Sequence, residues 1–177
     1  AQVMQIYNQT KSYLKNPQPV SDNLLYGEFH ENSKHTTRMP YMKPVYDVLE
    51  KNRGKVIYFD FWARWCPPCL AEMEPLKQLR SKFSTDDLII YSICVSEPKE
   101  QWEECLNEYS LKNRGIECVH VTDYLGINNY QKIRKQWKID RMPYYVLINR
   151  KGQIIDFGTA ARPSNPQLVS RIEEAVK

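Results

Sequence analysis

The stretch "VIYFDFWARWCPPC", residues 56–69, joins a run of strand-forming residues to two cysteines separated by two prolines. Residues 56–62 are aliphatic or aromatic apart from Asp60, which predicts a buried strand. Apolar residues then recur at intervals of three and four from Leu70 to Phe83, the spacing of an amphipathic helix. The pattern therefore predicts a strand that leads into a helix, with a pair of thiols at the junction.

The rest of the chain continues this alternation. We predict a strand at 88–95, a helix at 98–113, a short strand at 117–121, a basic helix at 128–137, a hairpin formed by 144–149 and 153–157, and a closing helix at 167–176. Strands that alternate with helices indicate an α/β domain with parallel pairing, to which the hairpin adds an antiparallel pair. The expected fold is a central mixed β-sheet flanked by helices.

The first 52 residues differ from this domain at 53–177. We interpret them as an N-terminal extension with a helix over 1–16, an irregular linker over 17–40 and a helix over 43–52. The chain opens with Ala-Gln rather than Met, so we expect its natural start to be missing, and the sequence does not tell whether a signal, a lipid anchor or a preceding domain was removed.

Composition excludes several function classes. Of 177 residues, 42% are hydrophobic and 26% are charged, and the net charge of +4 comes from scattered lysines and arginines. A scattered charge gives no support for a nucleic-acid or membrane-surface partner. No apolar run reaches the ~20 residues that a membrane span needs. We also expect no cofactor and no metal, because the chain has no second CxxC and its histidines near residues 30 and 35 have no companion cysteines.

The paired thiols have three possible roles: half of a zinc site, a structural staple or a reactive dithiol. Pro67 and Pro68 suit the first turn of a helix, which places Cys66 at the helix N-terminus, where a thiolate is stabilised. We therefore expect Cys66 to be an exposed nucleophile and Cys69 a more buried resolving thiol. A loop this small restrains little of the unfolded chain, which argues against a staple.

Two carboxylates accompany the dithiol. Asp60 interrupts the apolar strand, where burial would raise its pKa towards a range useful for proton transfer, and we predict that it accepts the proton of Cys69. The alternative is that it caps a neighbouring element or pairs with a cation. Glu72 follows Cys69 by one helical turn and should share its face. Pro75 should kink this helix.

The motif "FDFWARWCPPC", together with "RMPYYVLINRKGQII" near the C-terminus, resembles the thioredoxin superfamily and, within it, the TlpA/ResA-like thiol–disulfide oxidoreductases. The resemblance covers about 53–177 and implies a TlpA-type insertion at about 96–127. It also implies a cis bond at Pro143, an acidic role for Glu72 near the dithiol, and a client-binding surface formed by Trp65, Pro67, Pro68, Met142 and Pro143. Asp60 instead matches the buried aspartate of thioredoxin itself, and Pro75 lies one residue later than in the family.

These features predict an enzyme that reduces protein disulfides, with Cys66 attacking and Cys69 resolving. The resemblance implies an exported protein of the periplasm or cell envelope, disulfide-bearing client proteins (apocytochromes c among them), and an upstream thiol reductant such as a membrane electron-transfer protein. Two alternatives stay open: a binding or redox-sensing module that does not turn over, and a net oxidase or isomerase. The other cysteines, at 94, 105 and 118, are expected to be inert core residues.

Overall fold

The computed structural model describes residues 18–19, 40–96 and 98–177. The predicted helix over 1–16 and most of the predicted linker lie outside these residues. Within them, a 3-10 helix at Pro40–Met42 leads into helix α1. The predicted helix at 43–52 is thus present at Lys43–Lys51.

Within these described residues, the sheet has six strands. They are β1 (Gln18–Pro19), β2 (Val56–Trp62), β3 (Leu88–Cys94), β4 (Ile116–His120), β5 (Tyr144–Ile148) and β6 (Gln153–Gly158). Their spatial order is β1-β6-β5-β2-β3-β4. β2, β3 and β4 are parallel, whereas β5, β6 and β1 join by antiparallel pairing. The predicted mixed sheet is confirmed, and the segment interpreted as an insertion supplies its edge strand β4.

Seven helices accompany the sheet in the described part of the chain. They are α1 (Lys43–Lys51), α2 (Pro67–Ala71), α3 (Met73–Lys82), α4 (Lys99–Glu108), α5 (Val121–Tyr124), α6 (Ile127–Gln136) and α7 (Pro166–Ala175). The predicted helix at 98–113 ends five residues early. The chain turns there because Ser110 and Asn113 adopt positive φ angles of 53° and 60°, which a helix cannot accommodate.

The helix after the dithiol is interrupted, as Pro75 predicts. Glu72 separates α2 from α3, with φ −88° and ψ −4°. Proline removes one helical hydrogen bond and its ring crowds the carbonyl of the residue four positions earlier, here Ala71. The break therefore falls one turn before the proline itself.

The sheet is covered on both faces, which explains why its central strands β2, β3 and β5 are almost entirely apolar. On one face, side chains of β2 such as Phe59 and Phe61 pack with α1, α5 and α6. On the other face, Tyr58, Ile90 and Leu147 pack with α3 and α7. A third group of buried residues lies at the carboxyl ends of β2 and β3; this end cluster consists of Trp62, Ala63, Cys66, Cys69, Met73, Cys94, Cys105, Leu106 and Leu111.

Candidate active site

Cys66 and Cys69 form a disulfide at the carboxyl end of β2, with their Cα atoms 5.3 Å apart. Cys66 immediately precedes α2 in an extended conformation, and its sulfur accepts a hydrogen bond from the Cys69 backbone N–H at 3.3 Å. Pro67 and Pro68 occupy the first turn, and both are exposed. The predicted position of Cys66 at a helix start is therefore confirmed.

The expected exposure of Cys66 is wrong for this oxidised state. Cys66 is 3% exposed and Cys69 is 2% exposed, so burial does not distinguish the two cysteines. Both belong to the end cluster, against which Met142 also packs. Trp65, by contrast, is 69% exposed. The surface beside the disulfide is thus formed by an indole and two prolines, with the sulfur atoms beneath it.

The segment before β5 packs against the same end cluster through Met142. The Met142–Pro143 peptide bond is cis, as the resemblance implies. Thr159 Oγ1 donates a hydrogen bond to the Pro143 carbonyl oxygen at 3.0 Å, which ties this segment to the turn after β6. Met142 is half-buried and Pro143 is buried. The structure therefore places Met142, from the distant end of the sequence, against the cluster that contains the dithiol.

Asp60 lies in β2 on the same side of the sheet as Tyr58 and Trp62, and only 4% of it is exposed. Ser92 Oγ donates a hydrogen bond to Asp60 Oδ2 at 3.2 Å. Burial raises the pKa of Asp60 to about 7, the negative charge of Glu72 acts in the same direction, and the Ser92 bond opposes them. The carboxyl group can therefore both take up and release a proton near neutral pH.

Glu72 occupies the break between α2 and α3, and its side chain is 12% exposed. It accepts hydrogen bonds from the backbone N–H of Ser164 at 2.9 Å and from Ser164 Oγ at 2.6 Å. Arg162 Nε lies 4.0 Å from Glu72 Oε1. Glu72 therefore holds a loop that follows it by about 90 residues, in addition to adding negative charge near Asp60.

The loop that carries Trp65 is anchored by residues that the sequence analysis did not single out. The Arg64 backbone N–H donates to Ser96 Oγ at 3.0 Å, and Arg64 Nη1 lies 3.0 Å from Cys105 Sγ. His120 Nε2 lies 2.8 Å from the Ser96 carbonyl oxygen. The sequence marks Ser96 only as a polar residue that follows a predicted buried strand. Its hydrogen-bond partners depend on tertiary contacts and could not be predicted.

The remaining thiols are shielded from solvent to different degrees. Burial raises the pKa of Cys94, and it raises the pKa of Cys118 to about 12. Cys105 is fully buried. Since the thiolate is the reactive form of cysteine, the raised pKa values lower the reactivity of Cys94 and Cys118.

Two further properties of the described residues concern metal sites and membrane-spanning helices. Within them, no three histidine, cysteine or acidic side chains are placed to hold a metal ion. No helix there has the length and apolar character needed to cross a membrane.

The Redoxin family model matches residues 43–176. This range contains both cysteines of the disulfide and every strand of the sheet except β1. The chain belongs to the Redoxin family. The match to this Redoxin protein extends from α1 to α7. It therefore contains every residue of the site described above.

Relatives agree with this assignment. A thiol–disulfide oxidoreductase ResA from Halalkalibacterium halodurans is 25% identical over 134 residues, which are 73% of this chain and 66% of that protein. A ResA from Bacillus thuringiensis is 25% identical over 108 residues, 61% of this chain and 57% of that protein. The chain thus spans about three fifths of the length of these relatives.

Solved structures show the same fold. The solution structure of a putative thiol–disulfide oxidoreductase from Bacteroides vulgatus is 33% identical, with a TM-score of 0.53 over 71% of this chain and 76% of that chain. The predicted thioredoxin-like fold and the predicted TlpA/ResA-like membership are therefore confirmed.

Proposed function

We propose that this Redoxin protein is a thiol–disulfide oxidoreductase that reduces disulfides in other proteins. The observation that carries the proposal is the Cys66–Cys69 disulfide at a helix start, with the buried carboxyl group of Asp60 in the strand that leads to it. The names of the ResA relatives support the same reaction class.

In the proposed reaction, the Cys66 thiolate attacks one sulfur of the client disulfide and releases the other as a client thiolate, which takes up a proton from water. Cys69 then loses its proton to Asp60 and attacks the Cys66 sulfur, which breaks the mixed disulfide and releases the second client thiolate. Two electrons pass from the dithiol to the client, and the Cys66–Cys69 disulfide forms again. An upstream thiol reductant has to return two electrons before the next cycle.

Client binding is assigned to the surface around the disulfide. Trp65 and the two prolines are exposed beside Cys66, and the Met142–Pro143 segment packs against the same cluster. An extended client segment can lie across these residues and make backbone hydrogen bonds at Met142. Glu72 is assigned to the site through its negative charge, which favours the protonated form of Asp60.

Reduction of insulin or of a fluorescent disulfide peptide tests the activity. We expect Cys66→Ser to abolish turnover and Cys118→Ala, a change at a thiol outside the disulfide, to preserve it. Reduction by Cys66→Ser at the rate of the wild type would overturn the mechanism. A reduction potential of about −270 mV supports net reduction, whereas one of about −120 mV indicates an oxidase.

Clients and compartment can be tested with one trapping variant. Cys69→Ser should accumulate mixed disulfides through Cys66, because the resolving thiol is missing. We propose exported client proteins of the periplasm or cell envelope, including apocytochromes c. Several trapped exported clients would support a reductase, whereas a single stoichiometric partner would instead indicate a binding module.

A further inference from the structure

The carboxyl group of Asp60 accepts one side-chain hydrogen bond from the described residues, and Ser92 provides it. β2 and β3 are parallel, and their register pairs Asp60 with Ser92. The two side chains therefore extend from the same face of neighbouring strands, where Ser92 Oγ donates to Asp60 Oδ2 at 3.2 Å. Ser92 is 1% exposed, so water does not compete for this bond.

The other ionisable groups near Asp60 do not stabilise its negative charge. They are Tyr58 in β2, Tyr145 in β5, Cys94 in β3, Cys118 in β4 and Glu72 at the break between α2 and α3. Burial raises the pKa of each of these tyrosines and cysteines, so they are uncharged near neutral pH. Glu72 is an anion and favours protonation of Asp60. Among the described residues, no cation is a resolved cause of the pKa shift of Asp60.

We propose that Ser92 is a positioning residue for the proton transfer: its hydroxyl orients the Asp60 carboxylate and stabilises the ionised form that must accept the proton of Cys69. The proposal rests on the function proposed above. During the step, the proton moves from Cys69 Sγ to Asp60, the Cys69 sulfur forms its bond to Cys66 Sγ, and the client thiolate leaves. Ser92 keeps its own proton throughout and changes only the energy of the acceptor.

The physical reason is that a hydroxyl donor favours a carboxylate over a neutral carboxyl group. Hydrogen bonds to charged groups are about twice as strong as those between neutral groups, and a low dielectric strengthens them further. Without the hydroxyl, burial and the charge of Glu72 would act unopposed. Asp60 would then remain protonated to a higher pH, and a protonated carboxyl group cannot accept a proton.

The test measures the titration of Asp60 directly, in the full chain with its disulfide intact. The carboxyl group is followed by infrared or carbon-13 spectroscopy, and Asp60→Asn identifies its signal. We expect Ser92→Ala to raise the midpoint by about one pH unit. Ser92→Thr, which keeps the hydroxyl, should restore a midpoint near that of the wild type.

A matched control is available in the same row of the sheet. The register of β3 and β4 pairs Ser92 with Cys118, whose side chain donates no hydrogen bond to Asp60. Cys118→Ala should therefore leave the midpoint unchanged within a few tenths of a pH unit. If Ser92→Ala does not fold, Ser92→Cys, a weaker donor of similar size, should raise the midpoint relative to Ser92→Thr.

The pH dependence of mixed-disulfide resolution provides the second measurement. Its midpoint should rise in Ser92→Ala by the same amount as the titration of Asp60. A Ser92→Ala protein that is folded and titrates like the wild type would overturn the proposal. If the titration shifts while neither the wild type nor any Ser92 variant reduces a disulfide, the effect of Ser92 on the Asp60 carboxylate stands and the proposed function fails, which separates the two.

Discussion

Replacing Asp60 with asparagine should stabilise the protein at alkaline pH and change its stability little in acid. Burial raises the pKa of Asp60 from 3.8 to about 7, a change of about three units. At about 1.4 kcal/mol for each unit, ionising the buried carboxyl group costs about 4 kcal/mol of folding free energy. The asparagine amide resembles the protonated acid in size and carries no charge to bury.

The direction follows from which state holds the proton. Between about pH 4 and pH 7 the folded chain keeps the proton on Asp60 while the unfolded chain has lost it, so stability falls as the pH rises. Above about pH 7 both states are ionised and the penalty is constant. The advantage of Asp60→Asn should therefore grow from about pH 4 and level off near pH 7.

Urea unfolding of both oxidised proteins, at intervals of half a pH unit from 4 to 8.5, measures this difference. Other titrating groups, such as Asp156, whose pKa burial also raises, are present in both proteins and cancel in the comparison. A difference of about 4 kcal/mol at pH 8 that is nearly absent at pH 4 supports the argument. If the difference in the free energy of unfolding does not vary with pH, burial does not make ionisation of Asp60 costly, and the argument is wrong.

Three further outcomes are expected. Glu72→Gln removes an anion near Asp60, so the titration midpoint of Asp60, followed by infrared spectroscopy, should move to lower pH; a move to higher pH would contradict the charge coupling. Tyr58→Phe deletes a buried 2.6 Å hydrogen bond to the Ala161 carbonyl oxygen and should cost about 1–3 kcal/mol in urea unfolding, against no change if the bond is unimportant. Cys118 should react with iodoacetamide at pH 8 far more slowly in the native protein than in urea, because burial raises its pKa to about 12; equal rates would contradict this.

Local pattern was sufficient to predict the elements that form the site. Strand β2 and the helix start at Cys66 follow from neighbouring residues, and the burial of Asp60 follows from the apolar strand around it. These features depend on chain segments of fewer than about 20 residues, over which periodicity and turn preferences are informative.

The partners of the two carboxylates could not be predicted in the same way. Ser92 reaches Asp60 through the register of two strands that are 32 residues apart, and Ser164 reaches Glu72 across 92 residues. A shift of one residue in the register would turn Ser92 to the opposite face, and no local pattern fixes that choice. The low exposure of Cys66 likewise depends on the end cluster, whose residues and neighbour Met142 come together only in the folded chain.

The unfavourable burial of Asp60 has a chemical counterpart in the proposed reaction. An ordinary cysteine has a pKa of about 8.5, so an aspartate with a pKa of 3.8 would accept its proton with an unfavourable gap of about five units. Raising the pKa of Asp60 to about 7 reduces that gap to between one and two units. Proton transfer is most efficient when the pKa of the acceptor lies near the working pH. The free energy of unfolding of a typical protein is about 5–15 kcal/mol, and burial of ionised Asp60 costs a sizeable part of it. In the proposed reaction, the same burial makes Asp60 a suitable base for Cys69.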